Sequence, residues 1–177
     1  GHYGSYLDAL FEATSGLTTT GASLVIDLEH LSYADNMWRF TMHLIGGLGL
    51  IVIALSLGIF GKSTSGLYSS EGRSEHVLPN IVNTVRLISQ IALAVIGVAT
   101  VILFLLCVLG GFEPLRALLN ALWMAISGFT TAGFSPTSQS AMYYHSFAFE
   151  VICMLLMLLG AVNFALFVKI SQGETTS

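Results

Sequence analysis

The stretch Ser15-Gly16-Leu17-Thr18-Thr19-Thr20-Gly21-Ala22-Ser23 occurs a second time as Ser127-Gly128-Phe129-Thr130-Thr131-Ala132-Gly133-Phe134-Ser135. The offset is a constant 112 residues, and carrying it back without a gap gives nine identities over the sixteen positions from Asp8 to Ser23. Each copy closes a short apolar run with small hydroxyl residues and glycine, and each precedes a much longer apolar segment. The run before the first copy is only one or two helical turns, too short to cross a bilayer core of about 30 Å. A half-helix that enters the membrane and turns back, a re-entrant pore loop, fits the pattern. An isolated copy would read equally well as an amphipathic turn lying at the interface. Repetition favours the pore helix.

Working outward, the composition agrees. Of 177 residues, 54% are hydrophobic and 9% charged, and the mean hydropathy is +0.80. Six basic and ten acidic residues cannot cover a soluble domain of this size, so lipid is the expected solvent for much of the chain. The net charge of −4 offers no clustered basic surface for nucleic acid. Cys107 and Cys153 lie within apolar runs and read as small buried hydrophobes. The chain opens Gly1-His2-Tyr3 with no basic n-region, and an internal fragment is the simplest reading.

Taken in order, residues 1–60 read as a first repeat lacking its outer helix: a pore helix over 6–15, a filter loop over 16–23 and an inner helix over 38–60. Between loop and inner helix, Asp27, Glu29, His30 and Asp35 mark an aqueous segment without Lys or Arg. Arg39, beside Trp38, reads as an interfacial anchor at the mouth of the inner helix. Gly46-Gly47-Leu48-Gly49 would let another element approach closely, and His43 reads as a packing residue more readily than as a metal ligand. Residues 61–86 form a connector containing Lys62, Arg73, Arg86 and the breaker Pro79, and its basic residues put it on the cytoplasmic side. A complete second repeat follows over 87–170, with an outer helix 87–109, a pore helix 114–127, a filter loop 128–136 and an inner helix 147–170. Glu150 is read at the interface, Asn163 as an amide needing a partner, and 171–177 as a polar tail. The fold class is therefore an all-α membrane protein of membrane-helix/pore-loop/membrane-helix repeats, potassium-channel-like, with the loops entering from outside.

Chemistry supports the loops as a cation path. A dehydrated monovalent ion needs oxygens to replace its water, and rings of backbone carbonyls supply them. Gly21 and Gly133 allow the unusual backbone this requires, while the hydroxyls of Thr18, Thr19, Thr20, Thr130 and Thr131 either brace the loop or offer hard oxygens. No carboxylate lies in either loop, which argues against a divalent-cation site. Each pore helix would end near its loop, turning the negative end of its dipole toward a cation. A fourfold ring needs four such loops, and two are present.

Ala9-Leu10-Phe11-Glu12-Ala13-Thr14 running into the first loop, then Trp38-Arg39, Ile45-Gly46-Gly47-Leu48-Gly49, Leu78-Pro79-Asn80, the loop Ser127 to Pro136 and Gly160-Ala161-Val162-Asn163-Phe164-Ala165-Leu166, resemble the Trk/Ktr/HKT superfamily of potassium transporters, Trk-type subunits in particular. The resemblance covers nearly the whole chain. It implies four repeats in one polypeptide with a filter glycine in each, so that Gly21 and Gly133 are two of four and the third and fourth repeats are partners outside this sequence. It implies K+ as the transported ion, held by carbonyls of Thr19, Thr20, Gly21, Thr131, Ala132 and Gly133 within filter segments Thr18 to Ala22 and Thr130 to Phe134. It further implies a homodimer in the plasma (inner) membrane and a cytosolic nucleotide-binding regulatory subunit. The chain has no dinucleotide fingerprint, and no cofactor of its own is expected. Because related transporters with serine at the first filter glycine favour sodium, Gly21 reads as potassium-permissive. A scaffold subunit and a sodium/potassium-permeable relative are the alternatives. An intramembrane enzyme recruiting His43, His145, Glu150 or Asp8 lacks any acid-base or metal spacing.

Overall fold

A computed structural model describes residues 4–56 and 77–161, and among these it contains helices and no strands. The elements are α1 (Tyr6–Leu17), α2 (Tyr33–Ser56), α3 (Val77–Leu109), α4 (Pro114–Thr130), a short 3-10 helix (Ser140–Tyr144) and α5 (Phe147–Ala161). The chain divides into two compact units, one of Gly1–Gly47 with Ala94–Ala161 and the other of Leu48–Leu93 with Val162–Ser177. Both loops lie in the first unit. Most of the connector and the end of the second inner helix, including Lys62, Arg73, Asn163 and the polar tail, fall outside the described residues.

Local chemistry sets each boundary. Ser5 caps α1, accepting the Asp8 amide at 3.2 Å. The helix continues past the hydroxyl cluster that sequence reasoning took as its end. Thr14 Oγ1 turns back to the Leu10 carbonyl at 2.8 Å, so its hydroxyl does not compete for the backbone ahead. α2 starts at Tyr33, five residues before the expected inner helix, because Ser32 and Asp35 cap each other. α3 starts at Val77 rather than 87. Pro79, expected to break the chain, sits in the first turn, where its missing N–H would have no intrahelical partner anyway. Pro114 occupies the first position of α4 for the same reason. The stretch after the second loop winds into the 3-10 helix, with Ser140 and His145 left-handed at its ends.

Among the described residues, Val85–Leu109 is the stretch long and apolar enough, by length and composition alone, to cross a bilayer. α2 is 24 residues long, roughly 36 Å at 1.5 Å per residue, but it carries Asn36, Arg39 and His43, all buried in protein. α5 is apolar over the 15 residues described.

The two repeats pack alike, helix against helix. A Cβ on Gly16 of α1 would touch Met42 of α2 at 3.2 Å, and one on Gly128 of α4 would touch Leu156 of α5 at 3.3 Å. Further along, a Cβ on Gly46 would run into the backbone carbonyl of Leu17, and one on Gly160 into that of Phe129. Leu17 and Phe129 are repeat equivalents, each in the last turn of its pore helix. Each inner helix thus lays a glycine directly on the end of its own pore helix, which fixes the depth at which the loop begins.

Because the obstructing atoms are backbone, neither site can yield by moving a side chain. Gly46→Ala and Gly160→Ala should each lower the stability of the complete protein by about 1–3 kcal/mol or more. Gly97→Ala on α3, where a Cβ meets nothing within 4 Å, should not. Thermal unfolding of the purified protein in detergent distinguishes the three.

Candidate functional site

The two loops adopt the same backbone. Thr19 and Thr131 are both left-handed, each at φ 52°, as are Gly21 at 76° and Gly133 at 83°, while Thr20 and Ala132 between them are not. The helix ends that launch the loops match bond for bond. Thr19 N donates to Gly16 O at 3.2 Å and Thr20 N to Ser15 O at 3.0 Å. Their counterparts are Thr131 N to Gly128 O at 3.3 Å and Ala132 N to Ser127 O at 3.1 Å. Thr18 and Thr130 each turn a hydroxyl back onto the carbonyl four residues earlier, at 2.8 Å in both. In the first loop Thr18 and Thr20 also bond to each other through their hydroxyls at 2.8 Å.

The loops meet glycine to glycine. A Cβ on Gly21 would overlap the Ala132 carbonyl oxygen and lie 2.9 Å from the Gly133 Cα, while a Cβ on Gly133 would find Gly21 Cα at 3.6 Å. Gly21 is therefore required twice, by its positive φ and by the carbonyl pressed against it. Thr18, Thr20, Ala22, Thr131 and Gly133 remain exposed, whereas Ala132 and Phe134 are buried. The Phe134 carbonyl accepts from Ser127 Oγ at 2.6 Å, so that carbonyl faces back into its own repeat. At the equivalent position of the first repeat, buried Ser15 Oγ has no hydrogen-bond partner among the described residues.

Behind the first loop lies a buried ion pair that sequence reasoning missed. Arg39 is 0% exposed and Glu12 1%, and Arg39 Nε donates to Glu12 Oε1 at 2.9 Å. Glu12 also accepts from Ser23 Oγ at 2.8 Å and from Leu24 N at 3.0 Å, fastening the C-terminal end of the loop to α1. Arg39 reaches Asn36 Oδ1 and Ser23 Oγ, each at 3.2 Å. The guanidinium carbon stands 4.2 Å above the centre of the Phe134 ring. Arg39 is thus a core residue and not the interfacial anchor expected from its place beside Trp38. The available signal was the pattern of charge, two acids, Asp8 and Glu12, in a short apolar half-helix and a single arginine in the span that follows.

His43 is fully buried, stacked on Phe134 with ring centres 4.2 Å apart. Neither of its ring nitrogens has a hydrogen-bond partner among the described residues, and no cluster of three metal-ligating side chains occurs among them. Phe40 stacks on Trp123 at 5.7 Å, packing α2 against the second pore helix. Glu150 is half-buried in the first turn of α5, where a carboxylate suits the helix dipole. Asp8 and His145, the other residues weighed for catalysis, stand apart, one near the start of α1 and the other exposed after the 3-10 helix. Ser138 Oγ donates to Glu29 Oε1 at 2.9 Å, joining the segments that follow the two loops. Asp27 and His30 pair there in solvent at 2.9 Å. Hydrogen bonding to the carboxylate holds His30 above its ordinary 6.5 and Asp27 below its ordinary 3.8.

A family model described as TrkH, cation transport protein, matches residues 2–172. The chain is 31% identical over 176 residues to the Trk system potassium uptake protein TrkG of Escherichia coli strain K12, covering 97% of this chain and 35% of that protein. It is 31% identical over 167 residues to the Trk system potassium uptake protein TrkH of Vibrio parahaemolyticus, covering 92% and 33%. The crystal structure of the potassium transporter TrkH from Vibrio parahaemolyticus superimposes with a TM-score of 0.72 at 29% identity, over 96% of this chain and 32% of the other. The chain spans about a third of the length of the curated relatives it matches. Its fold is that of an all-helical membrane transporter with pore-loop repeats.

Two outcomes follow from the charged groups. Glu12→Gln leaves the Arg39 cation buried beside a neutral partner and should lower stability by about 3–5 kcal/mol, whereas Glu12→Met with Arg39→Met, which removes both charges, should cost clearly less; thermal unfolding of the complete protein reads the difference. For the exposed pair, His30 being raised means its contribution is full below pH 6.5 and fades as pH rises through the raised value. Asp27 being lowered means its contribution is full above pH 3.8 and fades as pH falls through the lowered value. The pair is therefore intact between those limits, and Asp27→Asn should bring the His30 midpoint, followed by NMR, down toward 6.5.

Proposed function

The chain belongs to the TrkH family of cation transport proteins, and on that premise we propose that it supplies two of the pore loops through which the complete protein moves potassium ions across a membrane. The observation that carries this reading is the shared backbone of the loops, left-handed at Thr19 and Gly21 and again at Thr131 and Gly133. In an extended strand successive carbonyls point to opposite sides. Alternating left- and right-handed residues bring them to one side, as a column of oxygens for a dehydrated cation demands. The carbonyls of Thr19, Thr20, Gly21, Thr131, Ala132 and Gly133 are the proposed ligands, and K+ is the cargo.

Electrostatics favour the same assignment. α1 and α4 both end at the loops, and neither carries a basic residue in its last turn to cancel the negative end of its dipole. A neutral ring of carbonyl dipoles suits a monovalent ion, which must bind firmly enough to enter and weakly enough to leave. Relatives named as potassium uptake proteins support potassium as that ion. In the proposed topology the loops open to the outside and residues 61–86 face the cytoplasm, since Lys62, Arg73 and Arg86 lie there while residues 24–37 have no Lys or Arg. The proposed partners are two further repeats of the same polypeptide, a second copy forming a homodimer, a cytosolic nucleotide-binding regulatory subunit and the surrounding lipid.

Potassium and sodium fluxes of the complete protein in liposomes test the reading. Gly21→Ser should lower the potassium-to-sodium permeability ratio by about tenfold, because left-handed strain of roughly 1–2 kcal/mol adds to overlap with the Ala132 carbonyl. Gly133→Ser, with more room, should act in the same direction and less strongly. Unchanged ratios in both would refute the filter assignment.

A further inference from the structure

The Arg39 guanidinium touches both loops at once. In its plane it donates to Glu12 and to Ser23, two residues after Gly21. Through its face it lies 4.2 Å from the ring of Phe134, the residue after Gly133. Between these two attachments the loops themselves meet at Gly21 and Gly133. We infer that Arg39 is a positioning residue that sets the spacing between the two filter loops, so that ion selectivity depends on a group that never touches the ion; the inference rests on the proposed filter reading.

A simpler role would be to hold the first repeat together. The second repeat argues against that. The packing pairs Gly46 with Leu17 and Gly160 with Phe129, and Gly16 with Met42 and Gly128 with Leu156, put the inner helices in register at an offset of 114. Arg39 then corresponds to Cys153, and Glu12, at the pore-helix offset of 112, corresponds to Met124. Ser135 there contacts Met124 Sδ at 3.9 Å where Ser23 contacts Glu12. The same loop backbone is thus built in the second repeat without the ion pair. A buried pair is also a poor source of net stability compared with apolar packing. What it adds is direction, since a guanidinium fixes hydrogen bonds in its plane and an aromatic ring on its face. Lysine, a compact charge on a flexible stem, cannot hold both.

The asymmetry extends to the loops. Phe134 is buried under Arg39 and against His43, whereas its counterpart Ala22 is exposed and has no ring to offer. Arg39 holds the first loop by hydrogen bonds and the second through the face of an aromatic side chain, so both restraints converge on one group.

The test uses the complete protein in liposomes, reading the potassium-to-sodium permeability ratio of Arg39→Lys, Phe134→Leu, their combination, and Glu12→Met with Arg39→Met. Each is expected to carry potassium with a ratio reduced by about tenfold, the equivalent of about 1.4 kcal/mol. Combining Arg39→Lys with Phe134→Leu should reduce it little further, since both remove one contact. Wild-type ratios in the folded variants, or fully additive losses, overturn the inference. Should the charge variants fail to fold, Phe134→Leu, which leaves the ion pair intact, decides alone: a reduced ratio supports the inference and an unchanged one overturns it. A wild-type protein that is not potassium-selective overturns the filter reading and this inference with it, whereas a selective wild type with unaffected variants overturns only the inference.

Discussion

A carboxylate and a guanidinium taken out of water lose several kcal/mol of hydration each, and their attraction recovers it only when the remaining lone pairs and protons are also satisfied. Glu12 and Arg39 meet that condition. The carboxylate accepts from Arg39, from Ser23 and from the Leu24 amide, and Arg39 adds Asn36 and the face of Phe134. The large opposing terms leave little net stability, but they leave a steep geometric requirement. Any displacement of α1, α2 or the C-terminal end of the first loop would break a bond in a region of low dielectric, where an unpaired group is costly. The position of the loop is thereby tied to that of two helices.

The second repeat reaches the same loop by different means. Pore helix and loop keep the offset of 112, yet the inner helices are in register at 114. The two extra residues lie in the segment joining loop to inner helix, 136–146 against 24–32, where the chain winds into the 3-10 helix. Surface segments absorb insertions readily. The glycine contact with the end of the pore helix survives the insertion, because it is a contact between backbones that no side chain could replace. What is repeated, then, is the backbone of the loop and its seat on the inner helix. The chemistry that braces it from behind is not.

This division explains what could be read in the residues alone. A short apolar run closed by Ser-Gly and Thr-Thr, twice over, exposes a half-helix and a loop, because those features are set by local propensity. Positive φ at Gly21 and Gly133 was legible for the same reason. The place of Arg39 was not. Trp38 is 63% exposed and Arg39 0%, although they are adjacent, because consecutive residues on a helix point about 100° apart. Position along the chain therefore indicated depth and not the face. Among Gly46, Gly47 and Gly49, likewise, the sequence announced a close approach without saying which glycine makes it. Nor did the hydroxyls of Thr14 and Thr18 declare whether they would end the helix or fold back along it, a choice made by the packing of Gly16 and Leu17 on α2.

The exposed side of the loops carries a further consequence. Irregular backbone in a hydrocarbon environment must find hydrogen bonds, cavity water or an ion, since lipid offers none. Thr18, Thr20, Thr131 and Gly133 are exposed although the loops are packed behind by Glu12, Arg39 and Phe134. That arrangement tolerates water or a cation on the open side and does not tolerate lipid. Loop, inner helix and whatever covers the open side are consequently interdependent: the buried pair and the glycine seats hold the backbone from behind, and protein, water or an ion in front must satisfy what they hold. A loop so restrained cannot close around a smaller ion without moving α1 and α2, and resistance to that movement is the physical form that selectivity would take here.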